Sequence, residues 1–315
     1  AGPNRMNVYT IRQATEGLAQ LIEEAGQAAK DRGVAISYDS RHYSPEFAME
    51  AALVLGRHGI KSYVFESLRP TPEVGDKTEL LGSGVVEIIG DRVDQAYLEE
   101  MKAVTINPEL VKEMADQVSI VFTPLHGTGM YLGLKALNQA GFNTIHVVEE
   151  QAKADGDFPT VKSPNPESAA AFDLAEQLAK KVEADILLGT DPDADRLGAK
   201  VRTSKGDYQL LTGNQIASLM LDYILNAKLE LNQLPKNGVA VKSIVSTNFA
   251  NAILSHYGLE AVEVLTGFKF IAEKIQEYEE TGAKTFLMGF EESYGYLIKP
   301  FVRDKDAIQA LVVLA

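Results

Sequence analysis

The chain has 315 residues, which at roughly 150 residues per domain suggests two domains or three small ones, each with material for a core. That length makes disorder a poor reading; hydrophobic residues make up 45% and charged residues 23%, ordinary values for a soluble globular protein, and no apolar run approaches the ~18 residues that span a bilayer. The net charge of −14 has the wrong sign for a surface whose main partner is DNA or RNA, so an anionic substrate must be met by local cations. With no cysteine, disulfide frameworks, thiolate zinc sites and cysteine nucleophiles are excluded, which fits a cytoplasmic protein. Residues Ala1 to Arg5 lead straight into an amphipathic pattern and do not read as a signal peptide.

In chain order, Ile11, Ala14, Leu18, Leu21 and Ile22 recur at helical spacing, and Val34 to Tyr38 then reads as a strand ending in the loop Asp39-Ser40-Arg41. A helix with Phe47, Ala51, Val54 and Leu55 on its buried stripe follows, then a strand over Ser62 to Phe65. The alternation continues with strand Ser119 to Thr123, a helix from Met130 to Ala140, strand Thr144 to Val148, a helix around Phe172 to Val182 and strand Asp185 to Leu188. A third block has a helix carrying Ile216, Leu219, Met220, Tyr223 and Ile224 on one face, then strands Val239 to Ile244, Val262 to Leu265 and Thr285 to Met288. Strand, helix, strand in repeated order predicts an α/β protein with mostly parallel sheets. Polar and turn-forming residues near Thr105 and Leu211 set the expected domain limits at 1–105, 106–211 and 212–315. Pro70-Thr71-Pro72-Glu73 looks like a helix start, yet Val74 to Lys77 supplies no apolar stripe, so residues are expected to be missing between Glu73 and Lys77. Asp306-Ala307-Ile308 opens a helix that is still apolar at Ala315.

The sharpest chemical signal is Gly189-Thr190-Asp191-Pro192-Asp193-Ala194-Asp195-Arg196, just past the carboxyl end of a strand, where open α/β sheets bind ligands. At separations of about 5 Å and an effective dielectric near 20, each pair of these aspartates repels by roughly 3 kcal/mol. A hard cation removes the problem, and Mg²⁺ suits a few carboxylates plus a phosphate oxygen. A solvated acidic turn is the alternative; an EF-hand fails, with Arg196 at its sixth position and Arg202 at its twelfth. Arg196 is either a phosphate-binding fork or a salt-bridge partner of an aspartate. Gly289-Phe290-Glu291-Glu292-Ser293-Tyr294-Gly295 reads as a grip for sugar hydroxyls or as a polar hairpin turn. Thr266-Gly267-Phe268-Lys269 opens a helix with free amides that could face an anion. Leu125-His126-Gly127-Thr128-Gly129 lacks a P-loop lysine and reads as a turn for tight packing. Lys305, flanked by Asp304 and Asp306, and Arg41, in Asp39 to Ser44, read first as solvated ion-pair partners.

Together these segments resemble the α-D-phosphohexomutase superfamily, the phosphoglucomutase and phosphomannomutase enzymes. The resemblance rests on Tyr38 to Arg41, Thr123 to Gly129, Ser163-Pro164-Asn165-Pro166-Glu167, Asp191 to Arg196, Leu265 to Lys269 and Glu291 to Ser293, in that order along nearly the whole chain. Pro192 and Ala194 resemble the phosphoglucomutase and phosphopentomutase branch, where phosphomannomutases usually have glycines. The resemblance implies three similar α/β domains around a cleft and a smaller fourth domain. It implies a Mg²⁺-dependent isomerase that interconverts hexose 1-phosphate and hexose 6-phosphate, glucose first, through a phosphoserine and a sugar bisphosphate, with glucose 1,6-bisphosphate as activator. Asp191, Asp193 and Asp195 would hold the metal, Arg196 would neutralise the travelling phosphoryl group, Glu291 and Ser293 would bind sugar hydroxyls, Thr266 and Gly267 would shape the sugar loop, and Lys305 would stand near the reacting oxygens. Phosphoryl transfer needs mainly positioning and charge neutralisation, which these residue types supply.

The sequence departs from the family in lacking a Ser-His-Asn-Pro-like serine loop, whose place is where the helix after Glu73 breaks off. The family's early arginine-bearing segment and its fourth domain are also expected to lie outside these residues, so this sequence by itself is expected not to turn over. Two other readings stand beside the mutase. One is a haloacid-dehalogenase-type phosphatase with Asp191 as nucleophile and Asp193 as acid/base, although Asp195 stands where that family has Thr or Val. The other is a non-catalytic binder of sugar phosphates. The expected partners are small sugar phosphates rather than nucleic acid or membrane.

Overall fold

The computed structural model describes residues 6–70 and 86–315, and within them twelve strands and twelve α-helices form three α/β units. The segment 71–85, where the sequence suggests a helix that breaks off, lies outside the described residues.

The first unit begins with α1 (Val8–Glu24), whose cap Asn7 accepts the amide N–H groups of Tyr9 and Thr10. It continues through α2 (Gln27–Arg32), β1 (Val34–Ile36), α3 (Ser44–Arg57), β2 (Ser62–Phe65) and β3 (Val86–Ile89), and its sheet is all parallel in the order β1-β2-β3. Its cores are small: one around Tyr63, Phe65 and Val93, another around Ala19, Leu55 and Ile60. Two helices, α4 (Asp91–Met101) and α5 (Pro108–Met114), lead on to the second sheet.

The second unit runs β4 (Ser119–Thr123), α6 (Gly129–Ala140), β5 (Thr144–Val147), α7 (Glu149–Ala152), α8 (Asp173–Val182), β6 (Ile186–Thr190), β7 (Leu197–Arg202) and β8 (Tyr208–Leu210). Its order is β5-β4-β6-β7-β8, parallel at β4 and antiparallel beyond β6. The third runs α9 (Gly213–Glu230), β9 (Gly238–Ser243), α10 (Phe249–His256), β10 (Glu260–Val264), α11 (Phe268–Thr281), β11 (Thr285–Phe290), β12 (Tyr296–Leu297) and α12 (Ala307–Leu314), in the order β10-β9-β11-β12 with only the last pair antiparallel. In each of these two sheets the chain leaves a central parallel strand in both directions, which opens a crevice at the carboxyl ends of β4 and β6 and of β9 and β11.

One apolar core fills the space between the second and third sheets, joining Phe122 and Leu188 to Leu132 of α6, Ile216 and Ile224 of α9, Val241 of β9 and Leu311 of α12. A separate cluster of Phe172, Ala175 and Ala179 covers the other face of the second sheet. The two crevices are therefore held on one rigid block. Among the described residues no helix is long and apolar enough to cross a membrane.

The strands over Ser62 to Phe65 and Ser119 to Thr123 have the limits that the sequence suggests. Strand β6 differs, starting at Ile186 because the Asp185 carboxylate turns to accept the Ser119 amide, and running on to Thr190. Leu311 is fully buried where α12 lies against Gly133 of α6. Leu311→Ala is expected to lower unfolding stability by about 2–5 kcal/mol, measured by urea denaturation.

Candidate active site at the carboxyl ends of the second and third sheets

Fully buried β6 delivers Asp191 to the crevice with 1% of its surface exposed. The loop then folds back on that carboxylate: the Asp195 and Arg196 amides donate to Asp191 Oδ1 at 3.2 and 3.0 Å, and Arg196 Nε donates to Oδ2 at 2.9 Å. Ala194 takes a left-handed φ of 53° to close this turn. The Leu125 to Gly129 segment packs against it, with the Thr128 amide donating to the Pro192 carbonyl at 2.9 Å; a Cβ on Gly127 would stand 2.5 Å from Pro192 Cα. The motif read as a turn for tight packing does this by letting the two loops touch.

Asp191, Asp193 and Asp195 each place one oxygen within 4.8 Å of the others, and they are the only group of this kind among the described residues. Burial pushes the Asp191 carboxyl well above the usual carboxylate range, and the charges of Asp193 and Asp195 push it further, against the pull of Arg196. The donors are all carboxylate oxygens, and Asp193 Oδ1 is buried without a hydrogen bond, so the trio fits a hard, oxygen-preferring divalent ion.

Arg196, read as a phosphate fork or a salt-bridge partner, is here a salt-bridge partner: besides Asp191 it meets Glu167 at 3.2 Å and Asp195 at 3.7 Å. Lys305 is not the solvated ion-pair partner its flanking acids suggest. Its side chain is only 19% exposed and its Nζ lies 3.0 Å from Asp195 Oδ2 and 3.1 Å from Asp304 Oδ1. Burial pulls its pKa down, but the charges of Asp195 and Asp304 outweigh this and hold the ammonium above its ordinary value.

At the third sheet, Thr266 and Gly267 follow β10 and Glu291 follows β11. Gly267, at a φ of 115° before α11, donates its amide to Glu291 Oε1 at 2.9 Å, so these two loops meet in front of β9. Thr266 is exposed, Ser293 half-buried and Glu291 buried. The segment Glu291 to Gly295 is a hairpin turn closed by the Glu291 amide on the Gly295 carbonyl at 2.9 Å. Its backbone nevertheless lies against the aspartate loop, because Arg196 pairs with Gly295 in an isolated antiparallel bridge and Leu197 donates its amide to the Tyr294 carbonyl. The Lys305 stem lies flat on Gly295, where a Cβ would collide with its Cδ, and its Nζ sits 5.7 Å from the Phe268 ring centroid beside Gly267. Lys305 therefore touches the aspartate loop, the Glu291 loop and the Gly267 turn.

Several partners have no signal in the local sequence. Arg41 reaches Asp193 Oδ1 at 3.3 Å from the first unit, Glu167 reaches Arg196, and Ser243 donates to Glu292 Oε2 at 2.9 Å to brace the hairpin from behind. Asp306, fully buried, caps α12 by accepting the Ile308 and Gln309 amides and receives the Tyr97 hydroxyl at 2.8–2.9 Å, while the next amide, Ala307, donates to the Ala194 carbonyl.

Comparison with known proteins matches three models in sequence: phosphoglucomutase/phosphomannomutase α/β/α domain I over residues 1–89, domain II over 95–205 and domain III over 212–315. The chain belongs to the phosphoglucomutase/phosphomannomutase family. It is 33% identical to a phosphoglucomutase of Staphylococcus aureus over 367 aligned positions, covering 99% of this chain and 65% of that protein. The aligned span exceeds the 315 residues here, so the relative carries residues within it that this chain lacks. A family protein of Burkholderia thailandensis has the same fold, with a TM-score of 0.70 at 17% identity over 98% of this chain and 72% of that one. The N-acetylphosphoglucosamine mutase of Aspergillus fumigatus matches at TM-scores of 0.55, solved with GlcNAc-6P and magnesium, and 0.58, solved with glucose 1,6-bisphosphate, both at 16% identity. These cover 89% and 94% of this chain and 57% and 56% of those chains.

Burial pushes the Asp306 carboxyl up to about 6, the hydrogen bonds from Gln309, Tyr97 and Ile308 opposing it. An aspartate whose folded value lies above its unfolded value near 3.8 contributes stability below that value and loses it as pH rises through about 6. Asp306→Asn, neutral throughout and still able to cap α12, is expected to gain on the wild type by up to about 3 kcal/mol between pH 4 and 7. Urea titrations of both proteins across that range read the difference, and a constant offset would contradict the burial argument.

Proposed function

We propose that this chain carries the metal-binding and sugar-binding parts of a cytoplasmic hexose-phosphate mutase, one that moves a phosphoryl group between the 1 and 6 positions of a hexose, glucose first. Within the family established above, one observation carries the reading: Lys305 and the Arg196–Gly295 bridge draw the aspartate trio and the Glu291 and Gly267 loops to one place. We take 1–105, 106–211 and 212–315 as the working domain limits. The chain spans about two thirds of its curated relatives' length, so the activity of the whole protein is part of this proposal.

In this reading Asp191, Asp193 and Asp195 hold Mg²⁺, which when bound supplies positive charge against phosphoryl oxygens. Arg196, paired with Asp191, and Lys305, paired with Asp195, neutralise charge on the phosphoryl group as it passes. Glu291, fixed by the Gly267 amide, accepts from sugar hydroxyls through its remaining lone pairs, with Ser293 and Thr266 as further partners. The complexes of the Aspergillus enzyme with a sugar phosphate, magnesium and glucose 1,6-bisphosphate support the metal and the bisphosphate activator as proposals for this chain. The sequence holds no Ser-His-Asn-Pro-like segment, so we expect binding without turnover from these residues by themselves.

A phosphatase with Asp191 as nucleophile is disfavoured by the geometry: both oxygens of that side chain are already engaged and almost none of it is exposed. Calorimetry in the presence of Mg²⁺ separates the readings. Glucose 1,6-bisphosphate is expected to bind, and to bind roughly tenfold or more weakly to Asp193→Asn, with no glucose 6-phosphate formed from glucose 1-phosphate. Steady release of inorganic phosphate would favour the phosphatase, and failure to bind any sugar phosphate would overturn the proposal.

A further inference from the structure

The three aspartates of the acidic loop each have a cation, and the cations come from three separate segments. Asp191 has Arg196 from the same loop, Asp195 has Lys305 from the third unit, and Asp193 has Arg41 from the first. These attachments differ in kind. Arg196 is locked, since its own amide and its Nε both serve Asp191. Lys305 is held along its stem by Gly295. Arg41 is held only at its base. The Asp39 carboxylate accepts the Arg41 amide at 2.9 Å, and Ser44 Oγ accepts the Asp39 amide at 3.2 Å. His42 Nε2 meets Asp157 at 2.8 Å, and a Cβ on Gly156 would stand 2.6 Å from the Ser40 carbonyl oxygen, so the two loops are in close contact. The backbone is thus pinned against the second unit.

The guanidinium is not pinned. It is 51% exposed, stands 3.4 Å from Asp39 and 3.3 Å from Asp193, and leaves Asp193 Oδ1 without a hydrogen bond. A planar group with five donors on a flexible stem, resting on a carboxylate it does not satisfy, suits a second partner with paired oxygens.

We propose that Arg41 is a phosphoryl-positioning residue, which rests on Asp193 in the ion-free chain and turns to the phosphoryl oxygens when a divalent ion takes its place there. This rests on the metal and mutase reading above. Charge balance gives the reason. Asp39, Glu167 and Asp304 share the same three cations, so carboxylates outnumber cations; a phosphoryl dianion entering by itself is repelled, and a dication entering by itself must take Asp193 from Arg41. Entering together the dication and the dianion add no net charge, and by linkage each strengthens the binding of the other. Arg41 is the cation that can make the exchange without breaking a hydrogen bond to the loop.

The test is calorimetric titration of Mg²⁺ into the chain with and without saturating glucose 1,6-bisphosphate. In Arg41→Gln, Mg²⁺ by itself is expected to bind about tenfold tighter, and the enhancement of Mg²⁺ binding by the bisphosphate is expected to shrink about tenfold or more. Arg41→Lys, which keeps the charge and loses the fork, is expected to show the wild-type affinity for Mg²⁺ without bisphosphate and an intermediate enhancement. Unchanged or weaker Mg²⁺ binding in Arg41→Gln, or an undiminished enhancement, overturns the proposal. Asp193→Asn separates the two levels: if it loses Mg²⁺ while Arg41→Gln changes nothing, only the role of Arg41 fails, and if it binds Mg²⁺ like the wild type, the metal reading fails with it.

Discussion

Mutual repulsion among three carboxylates at the tip of one buried strand is the constraint around which this molecule is arranged. Asp191 is nearly inaccessible, so its charge is poorly solvated, and Asp193 and Asp195 add like charge beside it. An isolated loop of this composition would splay into water. Here it is held folded by amides and the Arg196 side chain aimed at one carboxylate, and by Arg41 and Lys305 at the other two. That crowding is the reason a hard cation is proposed there.

The scaffold serves this loop by fixing the distance between two sheets. A common apolar core joins the second and third units, and the Arg196–Gly295 bridge continues that connection to the surface. The hairpin after β11 is itself braced by Ser243 and Glu292, and the start of α12 is tied to Ala194 by a backbone hydrogen bond and to α4 through Asp306 and Tyr97. Polar side chains from loops far apart in sequence are thereby held in fixed positions, as the proposed phosphoryl transfer would require.

Much of this was legible in the sequence because it is written in short-range periodicity. The continuous apolar runs of β4 and β6 announce buried parallel strands, and three aspartates within five residues announce a metal-like cluster wherever they fold. What escaped is what depends on distant partners. Helix α4 buries Val93, Asp94, Tyr97 and Met101, and its stripe is hidden because Asp94 sits in it, paired with Arg69. Strand β7 is disguised by Gly198, which lets the chain pass Pro166, and by Lys200, buried against Glu176. Arg41 looked like a solvated residue of the first unit because nothing in Asp39 to Ser44 indicates that Asp193 stands opposite.

The most direct measurement is anomalous diffraction from crystals of this chain soaked in Mn²⁺, a magnetically and spectroscopically visible substitute for Mg²⁺. The expected result is one strong peak bonded to an oxygen of each of Asp191, Asp193 and Asp195. Peaks only elsewhere, with the three carboxylates still paired to Arg196, Arg41 and Lys305 at saturating metal, would contradict the central claim.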